Sequence, residues 1–443
     1  MRRTFYVQAI ALFHATTEEH GAELYYLPQG GARATLIDLI PGSVGSDPAG
    51  FITLEDQIYF SAYAPGHGYE LYSLAPGSSK PSLIEIESGR ESSYPHNFTV
   101  YKGQLYFTAT TAENGTELYR LSPESNVPTL IDINPDRSGP NSYTVGSDPK
   151  NFHIYKGDLY FTAFTEAQGE ELYHLSTDSN KPTVIDISPG PRSSKPGIFG
   201  DFTEYKGQLY FTADTPQSGV ELYRLSPGST NPILIEMTPG SAGSFSTYFN
   251  GFEEFGGKLY FAGFSAKTGA ELAYLDGISR TPTIIDINQG PAYSFPSDLT
   301  AFRGNLYFTA STEEHGTELY RLPRGSTKPV LIDLNPGSAG STPHDLTVFK
   351  GSLYFTASSK EHGTELYRIS PGKTKPTLID INPGTADSSP SDFAAFDGRL
   401  YFTASSHDHG RELHGLSPGS QKPNVIDINA GVADSYPHEY FTL

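Results

Sequence analysis

Residues 344–384 read HDLTVFKGSLYFTASSKEHGTELYRISPGKTKPTLIDINPG, and this stretch contains four short runs of β-forming residues. Lys-Gly, His-Gly, Pro-Gly and Asn-Pro-Gly segments separate the runs, and such segments are typical of turns. The second run, LYFTA, is apolar or aromatic on both alternating faces, as expected of a strand that is covered on both sides. We name the predicted strands A (DLTVF), B (LYFTA), C (TELYR) and D (TLIDI). The stretch predicts a four-stranded antiparallel sheet.

The same unit recurs along the whole chain. Strand B is recognisable at nine places, which begin at Ala11, Ile58, Leu105, Leu159, Leu209, Leu259, Leu306, Leu353 and Leu400. A near-constant period of 47 to 54 residues indicates a repeat architecture. Sheets covered on both faces favour blades stacked around an axis, so we predict an all-β fold, a closed β-propeller of nine four-stranded blades. Since propellers commonly have about four to eight blades, eight blades plus a spare repeat is the alternative.

The two ends of the chain predict how the ring closes. The segment 437–443, PHEYFTL, matches strand A of the unit, whereas the opening segment MRRTFYV matches it poorly. We therefore expect residues 438–443 to complete blade 1 beside its strand B, so that 1–443 forms a single propeller domain without an open edge. The alternative is that residues 3–7 supply this strand. The start of the chain weakly resembles a signal peptide. We interpret it as a strand instead, because residues 11–15 align with strand B.

The composition limits the partners. The chain has 443 residues, with 30 Lys+Arg against 50 Asp+Glu and a net charge of −20. Such acidity disfavours nucleic acid and anionic membranes as partners. No apolar run is long enough for a membrane-spanning helix, so we expect no membrane insertion. Cysteine is absent, so no disulfide holds the fold. We expect a monomer.

The repeat resembles a known family. The segments GTELYRL at 115–121, GTELY at 316–320 and DINPG at 380–384 are similar to the bacterial ELWxxDGT repeat family, and the similarity extends over essentially the whole chain. Tyr replaces the Trp of the family pattern in most repeats, and segments such as PGST at 227–230 replace its Asp-Gly-Thr turn. The resemblance implies a propeller, commonly in exported or surface-associated bacterial proteins, and implies no particular activity.

Two acidic positions occur in all nine repeats. One is the Glu of strand C, at Glu23, Glu70, Glu117, Glu171, Glu221, Glu271, Glu318, Glu365 and Glu412. The other is the acid of strand D, at Asp38, Glu85, Asp132, Asp186, Glu236, Asp286, Asp333, Asp380 and Asp427. Presence in every blade predicts a structural role, the acceptance of hydrogen bonds from backbone N–H groups of nearby loops. Ca²⁺ binding is the alternative, but no DxDxDG-type loop is present, so we expect no cofactor.

The antiparallel order predicts two faces. The B–C and D–A loops lie on one face, which we call the top, and most lysines fall in the loops of the opposite face. The top is therefore expected to be acidic. Histidines recur in the B–C loops at His20, His67, His315, His362 and His409. One His per blade is too dispersed for a zinc site, so we predict no metal site.

One arc, blades 4 to 6, departs from the repeat. Its D–A loops are longer and carry extra aromatic residues, and the A strands of blades 5 and 6 carry carboxylates at the position held by Val100, Ile154 and Val348. We predict a ligand site there, formed by Tyr143, His153, Phe199, Glu204, Tyr248, Phe249, Glu253 and Glu254. We predict no catalytic residues, because no nucleophile elbow, phosphate loop or metal motif is present.

Two functions fit these patterns. The first is a non-catalytic binding or scaffold propeller that engages a carbohydrate, a small molecule or a protein at its acidic top. The alternative is a hydrolase or lyase that uses Glu204 and Glu254 as a carboxylate pair for acid–base chemistry.

Overall fold

The computed structural model describes residues 10–75, 77–135, 146–200, 202–240, 243–245 and 251–442. Across these ranges every regular element is a β-strand. The strands form nine four-stranded antiparallel sheets arranged as a β-propeller, with the strands of each sheet in the order A-B-C-D. The predicted fold class is confirmed, and the nine sheets leave no spare repeat among the described residues. No helix in the described part of the chain could span a membrane.

The two central strands of each sheet, B and C, are the longest. Strand B comprises β1 Ile10–Thr17, β5 Gln57–Ala64, β9 Gln104–Thr111, β13 Asp158–Thr165, β17 Gln208–Thr215, β21 Lys258–Ser265, β25 Asn305–Thr312, β29 Ser352–Ser359 and β33 Arg399–Ser406. Strand C comprises β2 Gly21–Pro28, β6 Gly68–Leu74, β10 Gly115–Leu121, β14 Gly169–Leu175, β18 Gly219–Leu225, β22 Gly269–Asp276, β26 Gly316–Pro323, β30 Gly363–Ile369 and β34 Gly410–Leu416.

The edge strands A and D are shorter. Strand A comprises β4 Ala49–Leu54, β8 His96–Tyr101, β12 Lys150–Tyr155, β16 Thr203–Tyr205, β20 Glu253–Phe255, β24 Ser297–Phe302, β28 His344–Phe349, β32 Ser391–Phe396 and β36 His438–Thr442. Strand D comprises β3 Thr35–Ile37, β7 Ser82–Ile84, β11 Thr129–Ile131, β15 Thr183–Ile185, β19 Ile233–Ile235, β23 Thr283–Ile285, β27 Val330–Ile332, β31 Thr377–Ile379 and β35 Asn424–Ile426. Strand A has only three residues in blades 5 and 6.

The chain divides into two compact units, which are described separately. Unit 1 consists of residues 1–148 and 378–443, and unit 2 of residues 149–377. Within unit 1, the A strands β32, β36, β4 and β8 follow one another side by side. Within unit 2, β20, β24 and β28 do the same. The A edge is therefore the edge at which neighbouring blades converge.

Blade 1 is assembled from both ends of the chain. Strand β36 pairs antiparallel with β1, with Leu12 opposite Phe441 and His14 opposite His438. The ring of Tyr440 lies 5.7 Å from that of Phe13 and extends the packing of the pair. This pairing covers the edge that β1 would otherwise expose. Residues 3–7, the alternative source of this strand, lie outside the described residues, as does Leu443.

Apolar layers between neighbouring blades form the core. In unit 2, Leu272 and Ile285 of blade 6 pack with Leu306, Phe308 and Leu322 of blade 7. The Phe of strand B stacks on the Tyr of strand C in the same blade, as in Phe308 and Tyr320 at 5.9 Å between ring centroids. Burial of one such side chain stabilises the fold by about 1.5–3 kcal/mol. The apolar character of both faces of strand B follows from this double covering.

A glycine at the start of strand C allows the D–A loop to approach the B–C turn closely, as in blade 7. Gly316 has φ +64°, and a Cβ at this position would lie 2.6 Å from the backbone of Gly340 and Ser338. Only glycine allows both the left-handed backbone and this close approach. The B–C turn and the D–A loop of this blade can therefore lie in direct backbone contact.

Candidate functional site

The strand C glutamates anchor the top loops, as the sequence predicted. All nine are 0% exposed. Glu318 accepts hydrogen bonds from the backbone N–H groups of Leu334 (3.0 Å) and Asn335 (3.3 Å) and from the Oγ of Ser341 (2.6 Å). Burial raises the pKa of this carboxyl above its ordinary value, although the three hydrogen bonds lower it in part.

The serine partner of each glutamate begins a short motif, which reads Ser-X-Pro in every blade except blade 5. The nine serines, all fully buried, are Ser46, Ser93, Ser147, Ser194, Ser244, Ser294, Ser341, Ser388 and Ser435. Residue X has a left-handed backbone in the eight blades with the proline, at Asp47, Tyr94, Asp148, Lys195, Phe295, Thr342, Ser389 and Tyr436. Non-glycine residues rarely adopt this conformation, and strain of this kind persists where the surroundings hold it in place. A rigid, buried anchor thus presents a side chain that varies among the blades.

The B–C loop histidines pair with the strand D acids of their own blades. His20 lies 3.4 Å from Asp38, His67 lies 2.8 Å from Glu85, and His409 lies 3.3 Å from Asp427. In blades 4 to 6 the corresponding residues bond within their own turn, as Ser218 does with Thr215 at 2.8 Å. The alternation of histidine and other residues therefore reflects two ways of closing the same turn. These histidines are not brought together.

The histidines of blade 9 have three different environments. His407 is exposed and lies 3.1 Å from Asp408, whereas His409 pairs with Asp427. His414 is fully buried, and its ring stacks on that of Phe402 with centroids 5.7 Å apart. Burial lowers the pKa of His414 to about 4. No group of three or more metal-ligating side chains suited to a metal ion occurs within the described ranges.

The predicted carboxylates of blades 5 and 6 point to different partners. Glu204 forms an ion pair with the Nζ of Lys156 in blade 4. Glu253 accepts a 2.9 Å hydrogen bond from the backbone N–H of Ala301 in blade 7. Burial raises the pKa of Glu253, and the charge of neighbouring Glu254 raises it further. Glu254 itself is exposed.

The aromatic members of the predicted site have structural neighbours. His153 lies with its ring 6.1 Å from that of Phe202. Phe199 is half-buried and packs against the core cluster between blades 5 and 6, which includes Tyr205 and Phe261. Tyr143, Tyr248 and Phe249 lie outside the described residues.

A cleft of about 610 Å³ lies at the top of blades 1, 2 and 3 in unit 1. It is lined by the starts of β4, β8 and β36 and by the turns that precede them, and its polar and aromatic residues include Asp47, Tyr69, Tyr94, His96 and Glu439. The rings of Tyr69 and Tyr94 stack with centroids 5.3 Å apart. The volume falls within the range of about 300–1,000 Å³ that is usual for small-molecule sites.

Carboxylates dominate the charge of this cleft. The Tyr69 hydroxyl donates a 3.0 Å hydrogen bond to Oδ2 of Asp47, and burial together with this carboxylate raises the pKa of Tyr69 to about 12. Oε2 of Glu439 accepts a 2.8 Å hydrogen bond from the backbone N–H of Gly50. Among the described residues that line the cleft there is no Lys and no Arg. The cleft is therefore suited to a positively charged ligand.

Sequence reasoning did not find this cleft. Its residues come from three blades, and Glu439 is far in sequence from the others, so no local motif joins them. One signal was present in the sequence: the X position of Ser-X-Pro varies between blades, as in Asp47, Tyr94 and Lys195, while the flanking residues hardly change. Variation at a single position of an otherwise regular repeat indicates a side chain that the fold does not require.

No protein-family model and no curated protein sequence matches this chain significantly. Two structures of AztD from Citrobacter koseri are similar to it, with TM-scores of 0.45 and 0.44, identities of 13% and 12%, and 98% of each chain covered. A prolyl endopeptidase structure is similar with a TM-score of 0.42 and 12% identity, over 81% of this chain and 54% of the other. This chain thus spans about half the length of that endopeptidase. Similarities this distant bear on neither the function nor the site.

Proposed function

We propose that this protein is a non-catalytic binding β-propeller that engages its ligand at the top of the blades. The observation that carries this proposal is the Ser-X-Pro turn. Buried pairs such as Ser341 and Glu318 hold the turn rigidly, while the side chain at X varies among the blades. Binding residues are commonly placed on loops that a rigid scaffold positions. A fold that needed only stability would have no reason to vary X while keeping its strained backbone.

The ligand we propose is a carbohydrate, a small molecule or a protein, and the proposed site is the arc of blades 4 to 6. Exposed Glu254, with Glu204 and half-buried Phe199, supports this choice, because carboxylates accept hydrogen bonds and aromatic rings stack on sugars or apolar groups. The three-residue A strands of blades 5 and 6 mark the same arc as different from the other blades. Tyr143, Tyr248 and Phe249 belong to the proposal as residues of the adjoining loops.

The alternative, a hydrolase or lyase with Glu204 and Glu254 as a pair, has no specific observation in its favour. Glu204 is engaged by Lys156, which neutralises it, and Glu253 is engaged by the backbone of blade 7.

The remaining parts of the proposal concern class and partners. We propose that the chain belongs to the ELWxxDGT repeat proteins, on the resemblance of GTELY and DINPG segments. An exported or surface-associated location would follow. We propose a monomer that uses no cofactor. We also propose that it binds no nucleic acid and does not insert into membranes, and its net charge of −20 supports this.

The experiment that tests the proposal is a binding screen with a glycan array and a panel of metabolites, with and without a chelator. A ligand should bind without being turned over, and its binding should be lost in the double variant Glu204→Gln/Glu254→Gln. Release of product from any member of the panel would replace the proposal with the enzymatic alternative.

A further inference from the structure

The cleft of blades 1 to 3 carries chemistry that the repeat does not explain. At the centre of strand B, blades other than blade 1 have a small residue, such as Thr309 in blade 7, which bonds with Ser297 of strand A at 2.5 Å. Blade 1 has His14 at this position and His438 opposite it. The two rings meet edge to face, with centroids 4.2 Å apart. This histidine pair lies directly behind Asp47, which lines the cleft.

The histidine pair is held by contacts on both sides. Nδ1 of His438 lies 2.9 Å from the carbonyl oxygen of Tyr436, and a carbonyl only accepts, so this nitrogen is the donor. Nδ1 of His14 lies 2.9 Å from Nε2 of His438 and 3.1 Å from Nδ1 of the same ring, so it faces both of these nitrogens. The remaining ring nitrogen of His14, Nε2, lies on the side of Asp47.

Nε2 of His14 faces a carboxylate. Nε2 of His14 lies 3.6 Å from Oδ1 of Asp47. His14 is 5% exposed, and its Nε2 has no hydrogen-bond partner within the described part of the chain. Burial and the adjacent His438 lower the pKa of His14 to about 4, so it stays neutral at neutral pH and leaves the charge of Asp47 uncompensated. The Asp47 side chain is 60% exposed, so its carboxylate is open to a ligand in the cleft.

Part of the lining of the cleft is aromatic. Tyr69 is held in place by its hydrogen bond to Asp47 and by stacking on Tyr94, which is 55% exposed. His96 donates from Nδ1 to the carbonyl of Tyr94 at 2.7 Å, so its Nε2 is another acceptor in the neutral ring. Aromatic faces attract cations, and they also cover apolar groups.

We propose that this cleft binds a small organic ammonium ion, whose N–H groups bond to Asp47 and approach His14 while its apolar part lies against Tyr69 and Tyr94. An ammonium group supplies N–H donors for the carboxylate of Asp47 and the positive charge that the described residues lining the cleft lack. The inference rests on the proposed binding role of the top face, but it does not depend on the site in blades 4 to 6.

The test uses phenethylamine as the probe and isothermal titration calorimetry on the full chain at neutral pH. Phenethylamine should bind at least tenfold more tightly than 2-phenylethanol, which has the same ring but no charge. Phenethyltrimethylammonium, which keeps the charge but has no N–H group, should bind more weakly than phenethylamine.

A matched pair of variants locates the site. Asp47 and Asp148 occupy the same left-handed X position in two D–A loops, with φ of 47° and 45°, but only Asp47 lines the cleft. Asn tolerates this backbone well, so both variants should fold. Asp47→Asn should weaken phenethylamine binding at least tenfold, and Asp148→Asn should leave it within twofold. A second variant, Tyr94→Asn, removes an aromatic wall at the same kind of backbone position and should also weaken binding.

Several results would overturn the inference: equal affinity for 2-phenylethanol, equal loss in Asp47→Asn and Asp148→Asn, or binding of Ca²⁺ without binding of phenethylamine. The double variant Glu204→Gln/Glu254→Gln should bind phenethylamine normally. If the wild type binds no phenethylamine while the glycan and metabolite screen still finds a ligand, this inference fails and the proposed function stands.

Discussion

The Oγ of Ser341 donates a 2.6 Å hydrogen bond to Oε2 of Glu318, although the two residues are 23 positions apart and lie in a D–A loop and a C strand. The same relationship recurs in other blades, for example between Ser435 and Glu412 at 2.6 Å. Because both partners are buried, the pair determines the position of the loop as well as its stability. Much of what can be tested in this protein follows from this anchor.

Glu318→Ala should lower the free energy of unfolding by roughly 1–3 kcal/mol, because it leaves two backbone N–H groups and the Ser341 hydroxyl without an acceptor. Chemical denaturation monitored by far-UV circular dichroism measures the change. Glu314→Ala in the same blade is the control, because the Glu314 side chain is 85% exposed and its loss should have almost no effect. Equal stability of the two variants would mean that the anchor contributes nothing.

The buried glutamates should make the protein less stable as the pH rises through neutrality. Burial raises the pKa of Glu412 from 4.5 to about 7, and the same holds for Glu221 and Glu271. A raised pKa in the folded state stabilises the fold below the unfolded value of 4.5, and this contribution is lost as the pH rises through about 7. The melting temperature should therefore fall between about pH 5 and pH 8.

The slope of the melting temperature against pH distinguishes the contribution of the glutamates from that of other titrating groups. Glu412→Gln removes one titrating group, so its melting temperature should change less over the same pH interval than that of the wild type. The absolute stability of the variant is not the readout, because glutamine also alters the hydrogen bonds to Ile428 and Ser435. An identical pH slope in variant and wild type would contradict the assignment.

The histidine pair should make the closing strand sensitive to acid. The pKa of His14 is lowered to about 4, mainly by burial and then by His438, although Asp47 raises it. The stabilisation from a neutral His14 is present above the unfolded value of 6.5 and is lost as the pH falls toward 4. The protection of the β36 amides against hydrogen exchange, measured relative to the protection of strands elsewhere, should therefore be lower at about pH 5 than at pH 7.

His14→Thr, which introduces the residue found at this position in most other blades, should remove most of that acid sensitivity. His67→Asn is the control, because His67 lies on the surface of blade 2 and blade 3 has Asn114 at the same position. The control should behave like the wild type. Acid-dependent exchange that persisted in His14→Thr would assign the effect to another group.

Glu204→Gln/Glu254→Gln should abolish binding at the proposed site of blades 4 to 6 and leave the melting temperature nearly unchanged. Both side chains are largely on the surface, and an exposed ion pair such as that between Glu204 and Lys156 contributes only about 0–1 kcal/mol. Binding of a ligand identified by the screen is the measurement, with Glu314→Gln/Glu361→Gln in blades 7 and 8 as the control. Normal binding by the first double variant would move the site elsewhere.

The fold class, the number of blades and the role of the strand C glutamates could all be predicted from the repeated unit. An apolar run such as LYFTA and a strand C acid such as Glu318 are visible within a single copy, and repetition multiplies a weak local signal nine times. The match of 438–443 to strand A could also be recognised in the sequence, because a missing piece of a regular pattern is easy to identify. The structure accordingly pairs His438–Thr442 with β1.

Which side chains meet across blades could not be predicted from the repeat, because the distance between them depends on how the blades pack. The sequence placed Glu204 and Glu254 at equivalent positions of adjacent blades, but Lys156 is near enough to engage the first. The cleft that contains Asp47 unites residues 47–98 with Glu439 from three blades, and the approach of His14 to Asp47 depends on how blade 1 packs beside blade 2. Periodicity describes contacts within a repeat, whereas a site arises where repeats differ and touch.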